Sequence, residues 1–453
     1  MNTIGSRYWT PYFDNDDDTL SAPSRRRVQP QIPPPHPAGP QNKPRSRSIA
    51  THRTQLLEAL RLQHDPFNQC VTERETHFQF NEIYVELEEA ILDTLSDEAQ
   101  SAFCFADYGM GKSATRLALE YKLRLDPQYE DILCVRYTPN YREIDDKSLT
   151  MIMDDICDAM ALDSLIQVVE RSQRIVPDLA NGAFRRALHQ QAAMLPSRFR
   201  RALQTKLKSP NDRDHDSFGE ADVNGVTDGI FWPTTIRPAV EMISQSAIWY
   251  SLTSEILAGI QNLAPEHLDW QQSIATVQTL GFKRIFILID AVDETTADPE
   301  RWLPFLANLF EYLPEWQAHN IYIKCFLPKI VQNHFIDQFK AQIGVLTPTP
   351  AITTIGANTT TTQLEQIVLE RLDAVKLHPL QETSLSVLIG VHLPERIETW
   401  LAEQAQGSPR RLLQIANQFL DFHADHVFSR TGRLDLAPDE WQWFKASIVA
   451  DSP

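Results

Sequence analysis

The stretch Phe105-Ala106-Asp107-Tyr108-Gly109-Met110-Gly111-Lys112-Ser113, FADYGMGKS, follows a short apolar run, SAFCF, and precedes a helical pattern, SATRLALEYKLRL. In a phosphate-binding loop, backbone N–H groups of a tight turn surround the anion, a Lys reaches the terminal phosphates and the next hydroxyl holds Mg²⁺. Gly111, Lys112 and Ser113 stand where the pattern G-x-x-x-x-G-K-S/T demands them, and Gly109 lies inside the turn. Ala106 replaces the first glycine, a change that is tolerable only if this position needs no positive φ. With Ala admitted there, the pattern arises by chance in a chain of this length about 3% of the time. The expected phosphate-binding residues are therefore Ala106, Asp107, Tyr108, Gly109, Met110, Gly111, Lys112, Ser113 and Ala114. Ser113 is expected to open a helix with Leu117, Tyr121 and Leu125 on one side, its dipole aimed at the anion.

Such a loop makes a demand elsewhere, because the metal needs a carboxylate at the end of a neighbouring buried strand and hydrolysis needs a group that orients water. The segment KRIFILIDAVDETT supplies both types. Ile285 to Ile289 is an unbroken apolar run, as in a strand covered on both faces, and it ends in Asp290. Asp290 is the expected partner of Mg²⁺ beside Ser113, and Asp293 or Glu294 is placed to polarise the attacking water. The plain alternative is an acidic turn after a core strand.

Two more apolar runs fit the same sheet. DILCVRYT follows the first helix, and NIYIKCFLP follows the helical stretch RWLPFLANLFEYL. Strand and helix in alternation argue for an α/β fold, a parallel sheet wrapped by helices, with ligands at the carboxyl ends of the strands. Lys324 and Lys329, in and just past the last run, are candidates to sense a γ-phosphate, although each alone is more often a surface lysine. In GSPRRLLQIANQFL, Ser408 is a cap, Pro409 suits the first helical position, and Leu412, Leu413, Ala416, Phe419 and Leu420 form an apolar face. Arg410 and Arg411 then sit in the first turn, where cations oppose the helix dipole; a bound phosphate or plain solvation would compensate.

The 453 residues, 42% hydrophobic, suffice for one large core or two to three domains. The first fifty residues hold DNDDD, RRR, PQIPPPHPAGP and KPRSRS, too polar and Pro-rich to repay ordering, so residues 1–53 read as a disordered tail or docking arm. An α/β core is expected over 54–350, with a helical and mobile insertion around 140–235, and a helical lid over 351–453. TQLLEALRLQ has helical spacing, and so does NEIYVELEEAILDTL, with Ile83, Leu87, Ala90 and Ile91 on one face. A net charge of −18 speaks against nucleic-acid binding by the whole surface but leaves local basic patches, among them Arg198, Arg200, Arg201, Lys206 and Lys208. Scattered cysteines without a CxxC pair, the lack of a membrane-length apolar run and the lack of a leader pattern lead to the expectation of a cytoplasmic protein without membrane contact.

FADYGMGKS, IFILIDAVDE and GSPRRLLQIAN together resemble the STAND class of signal-transducing P-loop ATPases, relatives of the AAA+ and origin-recognition ATPases. Ala291 follows Asp290, and the acidic pair comes later at Asp293 and Glu294, as in NACHT-like members. The resemblance covers about residues 60–425 and implies a three-layer ATPase core with a helical lid, ATP and Mg²⁺ as ligands, slow hydrolysis, and a switch in which ATP opens the protein for assembly into a homo-oligomer or a larger complex, plausibly in bacterial defence. It implies that HDPFN, His64 to Asn68, borders the adenine. After the lid there is room for a truncated winged helix in RLDLAPDEWQWF and none for a repeat sensor. Two other readings stand beside the switch: a DNA-associated AAA+-like loader or transposition regulator that uses the basic segments, and a scaffold that binds nucleotide only for stability.

Overall fold

The computed structural model of the chain describes residues 47–68, 80–97, 99–137, 149–171, 181–195, 254–256, 258–259, 269–290, 299–381 and 383–450. In chain order, helices α1 (Arg47–Ala59), α2 (Phe80–Ile83) and α3 (Ile91–Asp97) precede strand β1 (Ala102–Ala106), α4 (Lys112–Leu125) and β2 (Ile132–Tyr137). Next come α5 (Leu149–Glu170), α6 (Gly182–Met194), α7 (Trp270–Thr279), β3 (Arg284–Asp290), α8 (Pro299–Ala318), β4 (Ile321–Pro328), α9 (Gln332–Val345) and β5 (Ala351–Thr354). Helices α10 (Thr361–Ala374), α11 (Leu385–Leu388), α12 (Ile397–Gln404), α13 (Pro409–Phe422) and α14 (Pro438–Ala450) follow.

The strands form one parallel five-stranded sheet in the order β2-β3-β4-β1-β5. Alternate residues of each strand serve opposite faces. Phe103, Phe105, Ile287 and Ile323 join α5 to α9 in one apolar layer, whereas Cys104, Ala106, Phe286 and Leu288 meet Leu119 and Leu123 of α4. The chain moves from β1 across two strands to β2, then returns through β3 and β4 and crosses β1 to reach β5. Crossovers of one hand that run in opposite directions must lie on opposite faces. That is why α4 covers one face while the later crossovers cover the other, and it makes the carboxyl end of β1 the switch point of the sheet.

Strand β2 is an edge of the sheet, and α5 closes it with side chains. The Gln167 amide accepts from the backbone N–H of Cys134 at 3.2 Å and donates to its carbonyl at 2.6 Å. Asp163 accepts from Arg136 N–H at 2.8 Å, and Arg171 donates to the Ile132 carbonyl at 3.2 Å. Four helical residues rise about 6 Å and two strand residues about 6.6 Å. Residues 163 and 167 of α5, with 171 just past its end, therefore match alternate residues of β2 and substitute for a missing strand.

Several expectations need correction. Arg53 is 2% exposed within α1, so order begins before residue 54. Helix α1 and Leu62 and Phe67 after it belong to the apolar cluster of α10 to α14, not to the sheet. The Gln63 N–H donates to the Val375 carbonyl at 2.7 Å, tying the segment after α1 to the end of α10. The sheet runs past residue 350, because Ala351 to Thr354 pair with β1. Residues 80–97 are not one helix: the chain is extended or bent between α2 and α3, and Ala90 is exposed with φ +56°. Helices α5 and α6 are part of the core layer rather than an excursion from it. The last segment carries α14 and no strand among its described residues; Trp441 and Phe444 pack on Trp400 and Phe419, so it is a bundle helix, not a winged helix. The N-terminal tail before residue 47 and the basic segment Arg198 to Lys208 lie outside the described residues.

Gln167→Leu keeps the side-chain volume but strands a buried N–H and a buried carbonyl, at about 1–3 kcal/mol each. Denaturant unfolding should lose about 2–6 kcal/mol; a change below about 0.5 kcal/mol would mean that α5 does not close the edge.

Candidate functional site

The carboxyl end of β1 leads into the loop of residues 107–111. Ala106 is the last strand residue, paired with Pro328, and is not among the residues with positive φ, so the missing glycine is accommodated. Gly109 and Gly111 do have positive φ, +78° and +88°, where a Cβ is strained. The Met110 N–H donates to the Asp107 carbonyl at 3.2 Å and closes the turn. Helix α4 begins at Lys112, one residue before the expected start, and its N-cap Gly111 contributes no side-chain hydrogen bond. Its first N–H groups thus stand at the switch point without a side-chain cap, next to half-buried Ser113 and Ala114. Lys112 is only 2% exposed. Of the predicted apolar side, Tyr121 is buried and Leu117 partly so, while Leu125 is 50% exposed; Leu119 and Leu123 face the sheet instead.

Asp290 ends β3 and is 1% exposed. Strand β4 separates it from β1, a distance of about 9–10 Å between the outer strands. The thiol of Cys325, the neighbour of Ile289 on β4, is pushed well above its ordinary pKa by burial, with Asp290 adding to the effect and Lys112 opposing it. Asp290 Oδ2 accepts from Arg116 Nε at 3.0 Å, whereas buried Oδ1 has no hydrogen-bond partner among the described residues. A buried carboxylate oxygen and a serine hydroxyl are both hard donors of the kind Mg²⁺ takes. Asp293 and Glu294 lie outside the described residues.

Helix α13 of the bundle meets the loop directly. Ser408 caps α13, accepting from Arg411 N–H at 3.3 Å, and Pro409 is its first residue; Leu412, Leu413, Ala416, Phe419 and Leu420 are all buried. The Arg410 N–H donates to the Gly109 carbonyl at 3.3 Å, and the Arg410 guanidinium lies 4.1 Å over the Tyr108 ring, which is 60% exposed. Arg411 turns instead to Gln406 Oε1, at 3.2 Å. Lys329 donates to Asp107 Oδ2 at 3.1 Å. Lys324 is at the other end of the sheet, donating to the Gln100 carbonyl at 2.7 Å, so it is excluded from the loop's surroundings. Within HDPFN, Asp65 is held by Arg53 at 2.6 and 2.7 Å and the Pro66 carbonyl by Arg371 at 2.8 Å.

Sequence reasoning missed Arg116, Tyr84 and Leu87. Tyr84 donates to Thr115 Oγ1 at 3.2 Å, and a Cβ on Gly111 would lie 3.1 Å from Leu87. Arg116, Glu120 and Arg124 were visible as a stripe at spacing four, but such a stripe ordinarily marks a solvated helix face. No family model matches the chain, and neither does any curated protein or solved structure. No helix among the described residues is long and apolar enough to cross a membrane.

A Cβ on Gly109 would stand 3.0 Å from Ser408 Oγ and 3.1 Å from Arg410 Cβ. Gly109→Ala should therefore raise amide hydrogen exchange at the start of α13, beyond any effect of backbone strain. Gly281→Ala is the control, having φ +98° but nothing within 4 Å. Equal exchange at α13 in the two variants would disprove the contact's role in seating the lid.

Proposed function

We propose that the chain binds ATP with Mg²⁺ and hydrolyses it slowly, using the nucleotide to set the helical bundle against the sheet and thereby to control assembly with its own copies or other proteins. The reading is carried by one observation: two left-handed glycines, Gly109 and Gly111, at the switch point of a parallel sheet, opening into a helix start without a side-chain cap. Such a turn presents converging N–H groups to an anion, and the helix dipole reinforces them. Lys112 would neutralise the terminal phosphates, and Ser113 and Asp290 would hold the metal. Bound Mg²⁺ would supply Lewis-acid charge neutralisation at the phosphates. The water-orienting group is Asp293 or Glu294, with Glu294 preferred.

Arg410 is the lid cation nearest the loop, since its own backbone N–H reaches Gly109. Its reach distinguishes ATP from ADP in this reading, with Lys329 beside it on Asp107. A single charge-assisted contact contributes about 1.5–3 kcal/mol. Inverting a 1:99 equilibrium takes about 5.5 kcal/mol of differential affinity. ATP is therefore insufficient alone, and a partner or neighbouring subunits must contribute the rest.

Lys112→Ala should abolish binding of fluorescent ATP and ADP analogues, and Arg410→Ala should weaken ATP more than ADP. Glu294→Gln should keep ATP bound while nearly stopping phosphate release. Retained nucleotide affinity in Lys112→Ala would refute the site, and a silent Glu294→Gln beside a damaging Asp293→Asn would transfer the catalytic role.

Light scattering checks the switch. Glu294→Gln should be small with ADP and larger with ATP at high protein concentration or with its partner, and one mass in all nucleotide states would leave only a scaffold.

A further inference from the structure

The P-loop helix carries a buried charge network whose composition has a consequence for metal binding. Arg116 bridges two carboxylates with one guanidinium: Nε donates to Asp290 Oδ2 at 3.0 Å, and Nη1 donates to Glu120 Oε2 at 3.2 Å. Glu120 also takes Arg124 at 2.6 Å and Arg136 at 3.3 Å, and Arg136 lies 3.6 Å from Asp163. These side chains are between 1% and 11% exposed. Among the described residues, then, Arg116, Arg124 and Arg136 stand against Asp290, Glu120 and Asp163. Buried charge is tolerated when it is paired and becomes costly when one sign is left over.

We propose that Arg116 is a positioning residue that acts as a resident counter-ion for Asp290, keeping divalent cations off this carboxylate until a nucleotide brings its own negative charge. The inference rests on the reading of Asp290 as a metal partner. A divalent cation arriving alone would add two positive charges beside a guanidinium that is already held on the same carboxylate. Arriving with nucleotide phosphates, it brings no net positive charge. Glu120 then matters as the second seat. It lies one turn from Arg116, and so the guanidinium can shift its weight to Glu120 without leaving the helix or losing its ion pair. Oδ1 of Asp290, which has no hydrogen-bond partner among the described residues, is the oxygen left open for the incoming cation.

The test is binding of Mn²⁺ alone to full-length, nucleotide-free protein, followed by the paramagnetic resonance signal of the free ion. Arg116→Gln should bind Mn²⁺ at least ten-fold more tightly than the wild type, a gain that general damage to the fold would not produce. Arg116→Lys, which keeps the charge, should stay near the wild type, and adding Asp290→Asn to Arg116→Gln should erase the gain. Equal affinities in wild type and Arg116→Gln, or a gain that survives Asp290→Asn, would overturn the proposal. Should Arg116→Gln fail to fold, the wild type still decides. Its thermal midpoint should be unmoved by Mn²⁺ alone, raised by ADP and raised further by both, and a rise with Mn²⁺ alone as large as that with Mn²⁺ and ADP would refute the counter-ion. If ADP moves nothing while Arg116→Gln still gains Mn²⁺, the nucleotide reading fails and the counter-ion stands.

Discussion

One reversal of direction in the sheet governs the rest of the molecule. With right-handed crossovers, the step from β1 to β2 has to use the face that the later crossovers leave open. Helix α4 is thereby held between the sheet, through Leu119 and Leu123, and the helical bundle, through Ala118 and Tyr121. A helix covered on two sides has little exposed surface left for polar groups, yet it begins at the switch point, where a ligand would be held. The same reversal thus explains why Gly109 touches Arg410 of the bundle and why charged residues on α4 are buried.

Burial of those charges is sustained by α5. Asp163 accepts the Arg136 backbone N–H at 2.8 Å while standing opposite its guanidinium, so one carboxylate serves both the open strand edge and the charge network. Burial raises the Asp163 carboxyl against the pull of Arg136 and Arg124, whereas Glu120, where burial is outweighed by Arg136, Arg124 and Arg116 together, is held below its ordinary range. The two carboxyls differ in the number of guanidinium groups around them, and Glu120 is the firmer anion of the network. Edge closure, ionic balance and the position of Asp290 are consequently one coupled system, in which removal of a single charge leaves a buried partner exposed to the full desolvation cost.

Short-range chemistry was legible in the sequence. Continuous apolar runs marked β1, β3 and β4, and the glycine turn and the Ser408-Pro409 helix start were read from local rules that depend on a few neighbouring residues. Long-range outcomes were not. The apolar spacing over residues 80–97 is equally compatible with a helix, but the chain between α2 and α3 is held open by Gln363, whose amide donates to the carbonyls of Glu86 at 3.1 Å and Leu87 at 3.2 Å. A partner hundreds of residues away decides that conformation. The assignment of α1 to the bundle depends likewise on the Arg53 guanidinium, which joins Asp65 to the Asn417 carbonyl at 2.8 Å and Asp421 at 2.9 Å. Strand β5, only four residues long and half-buried, offers too little periodicity to be separated from the lid.

The start of α13 shows where a sound local argument stops short. Two arginines in a first turn oppose the helix dipole by about 0.3–1 kcal/mol each, which points to an anion as compensation. Arg410 finds the face of Tyr108 at 4.1 Å, an interaction of about 0.5–1 kcal/mol at an exposed ring, and Arg411 finds the side-chain oxygen Oε1 of Gln406. These contacts are of the same size as the penalty, so the dipole by itself does not require a bound phosphate. What remains distinctive is the position of Arg410. Its backbone is tied to Gly109 and its side chain lies on Tyr108, two residues of the loop that the anion would occupy, so any ligand that reshapes this loop acts on the bundle through the same few atoms.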